Sequence, residues 1–288
     1  MNGTRMVESK KPRLHPAPPK NFDPFSATRQ DMLRHGVPLR PDSHAQPGLA
    51  TLWDRLATRY RSFEHLEPKP DTTTAGKKAI VANVPLLRPD PTESCGYQLF
   101  SSAPITSLFV TWTVPDLQYT SSELGTDYFH TFVGLGFLDL HVEMTVNSAE
   151  NVTCQVWAEA IGNINLPVRP GDVISASLCL ETNEAGTAAY FLANETTGQT
   201  ISFSVDTGFP PAVTINAGVT RTWPLEQQFP PLARFGVVYF DEISAYTTSG
   251  LQSLTSGQAI TMVDQNNRTL AEPVKLTDSA FKALFVAA

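Results

Sequence analysis

The chain has 288 residues, 41% of them hydrophobic, which is enough for one large β domain or two modest ones with a packed core. Its net charge of −7 is unevenly placed: residues 1–78 hold 14 Lys or Arg against 8 Asp or Glu, and residues 79–288 hold 7 against 20. The basic residues are scattered among prolines with no nucleic-acid-binding motif, and no apolar run approaches the ~18 residues of a membrane span, so neither partner is expected.

Residues 1–26 are rich in Pro and Lys, lack an apolar period and read as extended chain. Ser26 to Gly36 predicts a short helix with Ser26 as its cap and Gly36 as its stop. Val37 to Asp42 reads as an extended linker. A second helix over Leu49 to Phe63 would place Leu52, Trp53, Leu56 and Tyr60 on one face, suited to docking on the body. Pro68 to Lys78 is a second polar linker, which gives a basic, Pro-rich extension over 1–78 and a β domain over 79–288.

From Ala79 the pattern changes to short alternating or β-branched runs punctuated by Gly, Asn, Asp and Pro. Strands are predicted near 95–101, 105–114, 129–137, 138–146, 152–161, 173–180, 187–193, 199–205, 217–223, 234–241, 259–264 and 280–286. So many strands call for two packed sheets, an all-β antiparallel sandwich with a helical N-terminal extension. Turn chemistry lies at Val168 to Asp172 and Asn194 to Gly198.

Cys95, Cys154 and Cys179 are too few and too odd for a disulfide framework and read as reduced, buried thiols. The opening residues lack an apolar leader, which predicts a cytoplasmic protein. Sequons at Asn2, Asn151, Asn194 and Asn267 keep secretion open if a leader was removed. No phosphate loop, nucleophile elbow or paired-Cys motif occurs, and no cofactor is expected.

Several stretches in order, Ser94-Cys95-Gly96-Tyr97, Trp112-Thr113-Val114-Pro115, Phe132-Val133-Gly134-Leu135, Trp157-Ala158-Glu159, Pro170-Gly171-Asp172-Val173-Ile174, Thr222-Trp223-Pro224-Leu225-Glu226, Ala233-Arg234-Phe235-Gly236 and Ile260-Thr261-Met262-Val263-Asp264, resemble the glutamic peptidases, the eqolisin family. The resemblance implies a concanavalin-like sandwich and a mechanism with a Glu general base and a Gln that holds the water and the oxyanion. Laid on this sequence, the family's Leu-Gln-x-Gly strand falls on Leu140-His141-Val142-Glu143, and its Ala-Glu-Trp-x-x-Glu strand on Arg221-Thr222-Trp223-Pro224-Leu225-Glu226. His141 then stands where the Gln belongs and Thr222 where the base belongs. The acidic residue of a Gly-Ile-Asp-Gly stretch is missing from Gly134-Leu135-Gly136. In the family a basic prosegment covers the acidic groove. The basic extension is accordingly expected to pack on its own acidic domain, as a latch, or else to be a solvated tail.

If His141 faces the groove, strand alternation sends Asp139, Glu143 and Thr145 the same way, with His130 and Phe132 from the preceding strand. Gln155, Trp157 and Glu159 follow from the next, while Cys154, Val156, Ala158 and Ala160 turn inward. The candidate chemical residues are His141, Thr222 and Glu143, and the candidate ligand-binding residues are His130, Phe132, Gln155, Trp157, Glu159 and Trp112. A His141-x-Glu143 pair with His130 has metal-ligand types at strand spacing, but solvated pairs of this kind are common and no metal is assigned. Core packing competes with ligand stacking for Trp112, Trp157 and Trp223. The expected function is a pseudo-peptidase sandwich repurposed to bind, and to cyclise or isomerise, a small organic molecule. The alternatives are an acid endopeptidase using a shifted carboxylate, Glu143 or Glu226, and a non-enzymatic glycan- or protein-binding module.

Overall fold

Alternation of apolar and polar residues at period two dominates from Ser94 onward, and there the chain is built of strands. The computed structural model describes residues 12–69, 93–120, 125–158, 161–180, 186–206, 211–221, 231–254, 257–264 and 266–286. In the extension, β1 (Pro12–Leu14) and β2 (Glu64–Leu66) flank α1 (Arg29–Arg34) and α2 (Pro47–Tyr60). The body runs through β3 (Ser94–Phe100), β4 (Ile105–Thr113), β5 (Thr126–Leu135), β6 (Leu138–Asn147), β7 (Val152–Ala158), β8 (Gly162–Ile164), β9 (Val173–Leu180), β10 (Thr187–Asn194), β11 (Gln199–Asp206), β12 (Thr214–Thr220) and β13 (Val237–Thr247). It closes with β14 (Gly250–Gln252), β15 (Gln258–Ile260), β16 (Met262–Val263), β17 (Thr269–Lys275) and β18 (Phe281–Phe285).

These strands make the predicted two-sheet sandwich. The larger sheet has the order β1-β11-β10-β9-β4-β13-β18-β17-β16, with β14 on β13 and β2 on β11. The smaller has the order β15-β3-β12-β5-β6-β7-β8. Among the described strands pairing is antiparallel except for β2, which runs parallel to β11. The core between the sheets takes Phe129, Val133 and Leu135 from β5, Leu140, Val142 and Met144 from β6, and Val110, Trp112, Ile174 and Tyr190 from the facing sheet. Two residues out of register would turn no side chain around, but one would expose this whole set, so burial fixes the pairing.

Several expectations change in detail. The cap of α1 is Thr28 rather than Ser26: Thr28 Oγ1 accepts the Asp31 N–H at 3.1 Å while Asp31 Oδ2 accepts the Thr28 N–H at 3.3 Å, a closed box that Ser26, turned back on Asp23, cannot make. The single strand expected over 259–264 is two, β15 in the smaller sheet and β16 in the larger, because the chain changes sheets at Thr261. Strand β17 is absent from the prediction; it pairs with β16 and β18 near the sheet's edge, where Pro273 is tolerated. The Asn194 sequon is closed in the folded chain, since its buried Nδ2 donates to Pro167 O and to Asp172 Oδ2 while its Oδ1 accepts two turn amides. Residues 222–223 of the expected 217–223 strand, and most of the expected Pro68 to Lys78 linker, lie outside the described residues.

Helix α2 lies on the outer face of the larger sheet. Leu52, Leu56 and Tyr60 pack on Phe109, Phe191 and Ala193, while Trp53 faces Phe22, Met32 and Val37. A polar network fixes the helix: Arg59 contacts Glu195 at 3.1 Å, Arg55 contacts Glu242 at 3.0 Å, and Tyr60 O–H donates to Ser175 Oγ (2.8 Å), which donates to Glu195 (2.6 Å). Glu242 adopts a left-handed backbone, φ 53°, beside the β13 bulge, and accepts Thr111 Oγ1 as well.

In the smaller sheet β3 and β12 approach closely at Gly96 and Gly218. A Cβ on either would collide with the other's backbone: Gly96 with Ala217 O and Gly218 Cα, Gly218 with Cys95 O and Gly96 Cα. Gly218→Ala is therefore expected to lower stability by about 2–3 kcal/mol, measured by urea unfolding. Gly171→Ala serves as the comparison, since there only the positive φ and no contact opposes the methyl.

Candidate functional site

The outer face of the smaller sheet carries three rows of residues that lie directly opposite one another. The middle row is Gly96, Gly218, Phe132, His141, Trp157 and Asn163. One side of it is flanked by Ser94, Thr220, His130, Glu143 and Gln155, the other by Gln98, Asn216, Gly134 and Asp139. An aromatic strip thus runs between two polar strips, beginning at a patch of two glycines with no side chains.

His141 is at the centre. Its ring stacks on Phe132 (centroids 6.1 Å, planes 26° apart) and meets Trp157 edge-on at 5.4 Å and His130 edge-on at 6.0 Å. It is buried, and its Nδ1 makes no hydrogen bond. Burial, reinforced by His130, pushes the imidazole down to about 3; burial alone pushes His130 down to about 4. Both rings are thus neutral near pH 7 and able to donate or accept a hydrogen bond rather than to act as cations. Burial raises the carboxyl of Glu143, directly opposite both His130 and Gln155. A neutral imidazole flanked by aromatic rings, beside a carboxyl of raised pKa, can orient a polar group and exchange a proton with it.

Of the candidate residues, His130, Phe132, His141, Glu143, Gln155 and Trp157 come together on this face, with Cys154, Val156 and Ala158 turned inward. Trp112 does not join them. Strand β4 turns it between the sheets, where it is fully buried and its Nε1 donates to Thr131 Oγ1 at 2.9 Å, so it is a core residue. Thr222, Glu159, Trp223 and Glu226 lie outside the described residues. No group of three His, Cys, Asp or Glu among the described residues is placed to hold a metal ion.

Sequence reasoning missed the polar residues contributed by β3 and β12. Asn216 is buried on this face and its Oδ1 makes no hydrogen bond. Asp139 lies over Gly134, where a Cβ would collide with its carboxylate, so this face carries an acid at that point although Gly134-Leu135-Gly136 has none. The signal for Asn216, polar alternation in Thr214-Ile215-Asn216-Ala217-Gly218, was present but short. All three cysteines are free thiols, and burial lifts Cys95 and Cys154 to about 12.

The histidines tie stability to pH. Their folded pKa values lie below the ordinary 6.5, so the unfolded chain binds more protons between about pH 6.5 and 4, and stability must fall as pH drops through that window. The His141 share is about 3 kcal/mol by pH 4, and Glu143, whose raised carboxyl protonates more readily in the fold, acts in the opposite direction. Thermal melting from pH 7 to 4 is expected to show a steep fall in Tm for the wild type and a clearly shallower one for His141→Gln.

A model of the Peptidase A4 family matches residues 92–282. No curated protein matches the chain. Among solved structures, scytalido-glutamic peptidase with a transition-state analogue inhibitor superposes with a TM-score of 0.54 at 15% identity, over 68% of this chain and 98% of that one. SCP-B, a member of the eqolisin family in complex with the tripeptide Ala-Ile-His, gives 0.54 at 18% identity over the same shares. A family model matched over about two thirds of the chain, residues 92–282, and a two-sheet fold similar to that of these enzymes lead to one conclusion: the chain belongs to the Peptidase A4 family, the glutamic peptidases or eqolisins.

Proposed function

We propose that the outer face of the smaller sheet binds a small organic molecule and transforms it without hydrolysing a peptide, by a cyclisation, isomerisation or addition. The observation that carries this reading is His141: buried, neutral, held between Phe132 and Trp157, with an unbonded Nδ1. A buried polar atom without a partner costs about 1–3 kcal/mol, a cost that a bound polar group relieves. Asn216 Oδ1 offers a second such atom on the same face, and Phe132 and Trp157 offer apolar walls. In this reading the peptidase dyad has been replaced, with His141 in the place of the family's Gln and Thr222 in the place of its Glu. A threonine hydroxyl is too weak a base to take a proton from water, so catalysis rests on positioning and on hydrogen bonds from His141 and Glu143.

A second reading is favoured by one specific strand register. Glu143 and Gln155 sit directly opposite across β6 and β7, and the raised carboxyl of Glu143 suits a proton-transfer role, so a displaced Glu–Gln pair would support acid peptide hydrolysis.

Two measurements separate the readings. Native mass spectrometry of protein purified from its own host is expected to show a small-molecule adduct that denaturation removes and that His141→Leu lacks; a bare polypeptide mass would sink the first reading. Peptide cleavage between pH 3 and 5 is expected to be absent from wild type. Cleavage that Glu143→Gln reduces at least 100-fold would establish the second reading instead.

A further inference from the structure

The formal charges on the His141 face are all of one sign. Of the described residues that β3, β5, β6, β7, β8, β12 and β15 present on that side, none is a Lys or Arg, whereas Asp139 and Glu143 are acids. The imidazoles of His130 and His141 are neutral near pH 7. Arg221, the residue after β12, is turned by alternation away from Thr220, and its electrostatic partners are Asp264 and Glu93. Glu143 therefore faces no counter-charge: directly across from it are His130 and Gln155, and burial raises its carboxyl. A half-buried carboxylate so placed attracts a cation from solution, and an anionic ligand would be repelled by both acids.

Two further observations point the same way. His141 Nδ1 and Asn216 Oδ1 are buried on this face without a hydrogen bond, at 9% and 6% residue exposure; a neutral imidazole nitrogen can accept, and an amide oxygen can do nothing else. A protonated amine carries donors and no acceptor, which complements that set. Phe132 and Trp157, on either side of His141, are partly exposed and offer π faces that favour a cation over a neutral group. Glu143 and His141 share one face of β6, about 7 Å apart along the strand. One ammonium group can thus sit against the carboxylate while its carbon body runs over the aromatic strip.

Resting on the small-molecule reading of this face, we propose that its ligand is an organic amine bound as a cation, with the ammonium on Glu143 and the apolar body against Phe132 and Trp157. Three probes that share one aromatic body test the charge: 2-phenylethylamine, a cation; 2-phenylethanol, neutral; and 3-phenylpropanoate, an anion. Calorimetric titration of the full-length protein at pH 7 is expected to give the amine at least 10-fold tighter than the alcohol, and no binding of the carboxylate. A bound cation favours the ionised form of Glu143, so the amine's affinity is expected to fall several-fold from pH 7 to 5, a range in which His130 and His141 stay mostly neutral and the alcohol's affinity stays flat. Glu143→Gln is expected to weaken the amine at least 10-fold, to flatten its pH dependence and to leave the alcohol unchanged. The proposal is overturned if the alcohol or the carboxylate binds as tightly as the amine, if none of the three binds, or if Glu143→Gln leaves the amine unaffected. A neutral or acidic compound released from host-purified protein also overturns it but leaves the small-molecule reading standing, whereas that reading fails separately, on a bare polypeptide mass.

Discussion

The alternation of side chains along β5, β6 and β7 is the constraint on which both the core and the candidate site depend. Each strand must give one face to the space between the sheets, and Phe129, Val133, Leu140, Val142, Met144 and Val156 meet that demand. What remains on the other face is fixed by register alone: Phe132 opposite His141, His141 opposite Trp157, Glu143 opposite Gln155. Chemistry and stability are thereby coupled, because a one-residue shift of a strand cannot rearrange the site without exposing the core. The glycines at 96 and 218 extend the same logic, since they let β3 and β12 approach closely and leave that end of the aromatic strip bare.

The two sheets have divided their outer faces. That of the smaller sheet is polar and aromatic, with buried groups whose ionisation is suppressed. That of the larger sheet is apolar around Phe109 and Phe191 and is covered by α2, with ionic contacts at the border of the apolar patch. Such border pairs contribute little individually, but Arg59 reaches both Glu195 and Glu242, and a shared network orders fewer side chains per contact. The positive φ of Glu242 is a local strain placed where its carboxylate can meet both arginines and Thr111.

Much of this was legible in the sequence because period two survives in long strands. The assignment of His130, Phe132, His141, Glu143, Gln155 and Trp157 to one face followed from parity, and no knowledge of the partner strand was needed. What parity does not reveal is which strands become neighbours. Ser94, Asn216 and Thr220 belong to the same face only because β3 and β12 join β5 in the sheet, a long-range pairing with no local signal. Trp112 was misassigned for a related reason: its strand belongs to the other sheet, so its neighbours in sequence say nothing about the His141 face. The capping residue of α1 turned on one Asp three positions on, and the break at Thr261 on a change of sheet that hydropathy does not record.

The free edge of β11 is closed by two pieces of the extension laid end to end: β1 runs antiparallel along Phe203 to Val205, and β2 runs parallel along Gln199 to Ile201. Both pieces come from far earlier in the chain than the strand they complete. These segments are synthesised before the strand they pair with, and so have no template until β11 exists. A newly made chain in that interval presents both an unpaired strand edge and the apolar patch around Phe109 and Phe191, the two kinds of surface through which unfinished β proteins associate. In the folded chain the extension conceals both, the strand edge under β1 and β2 and the apolar patch under α2.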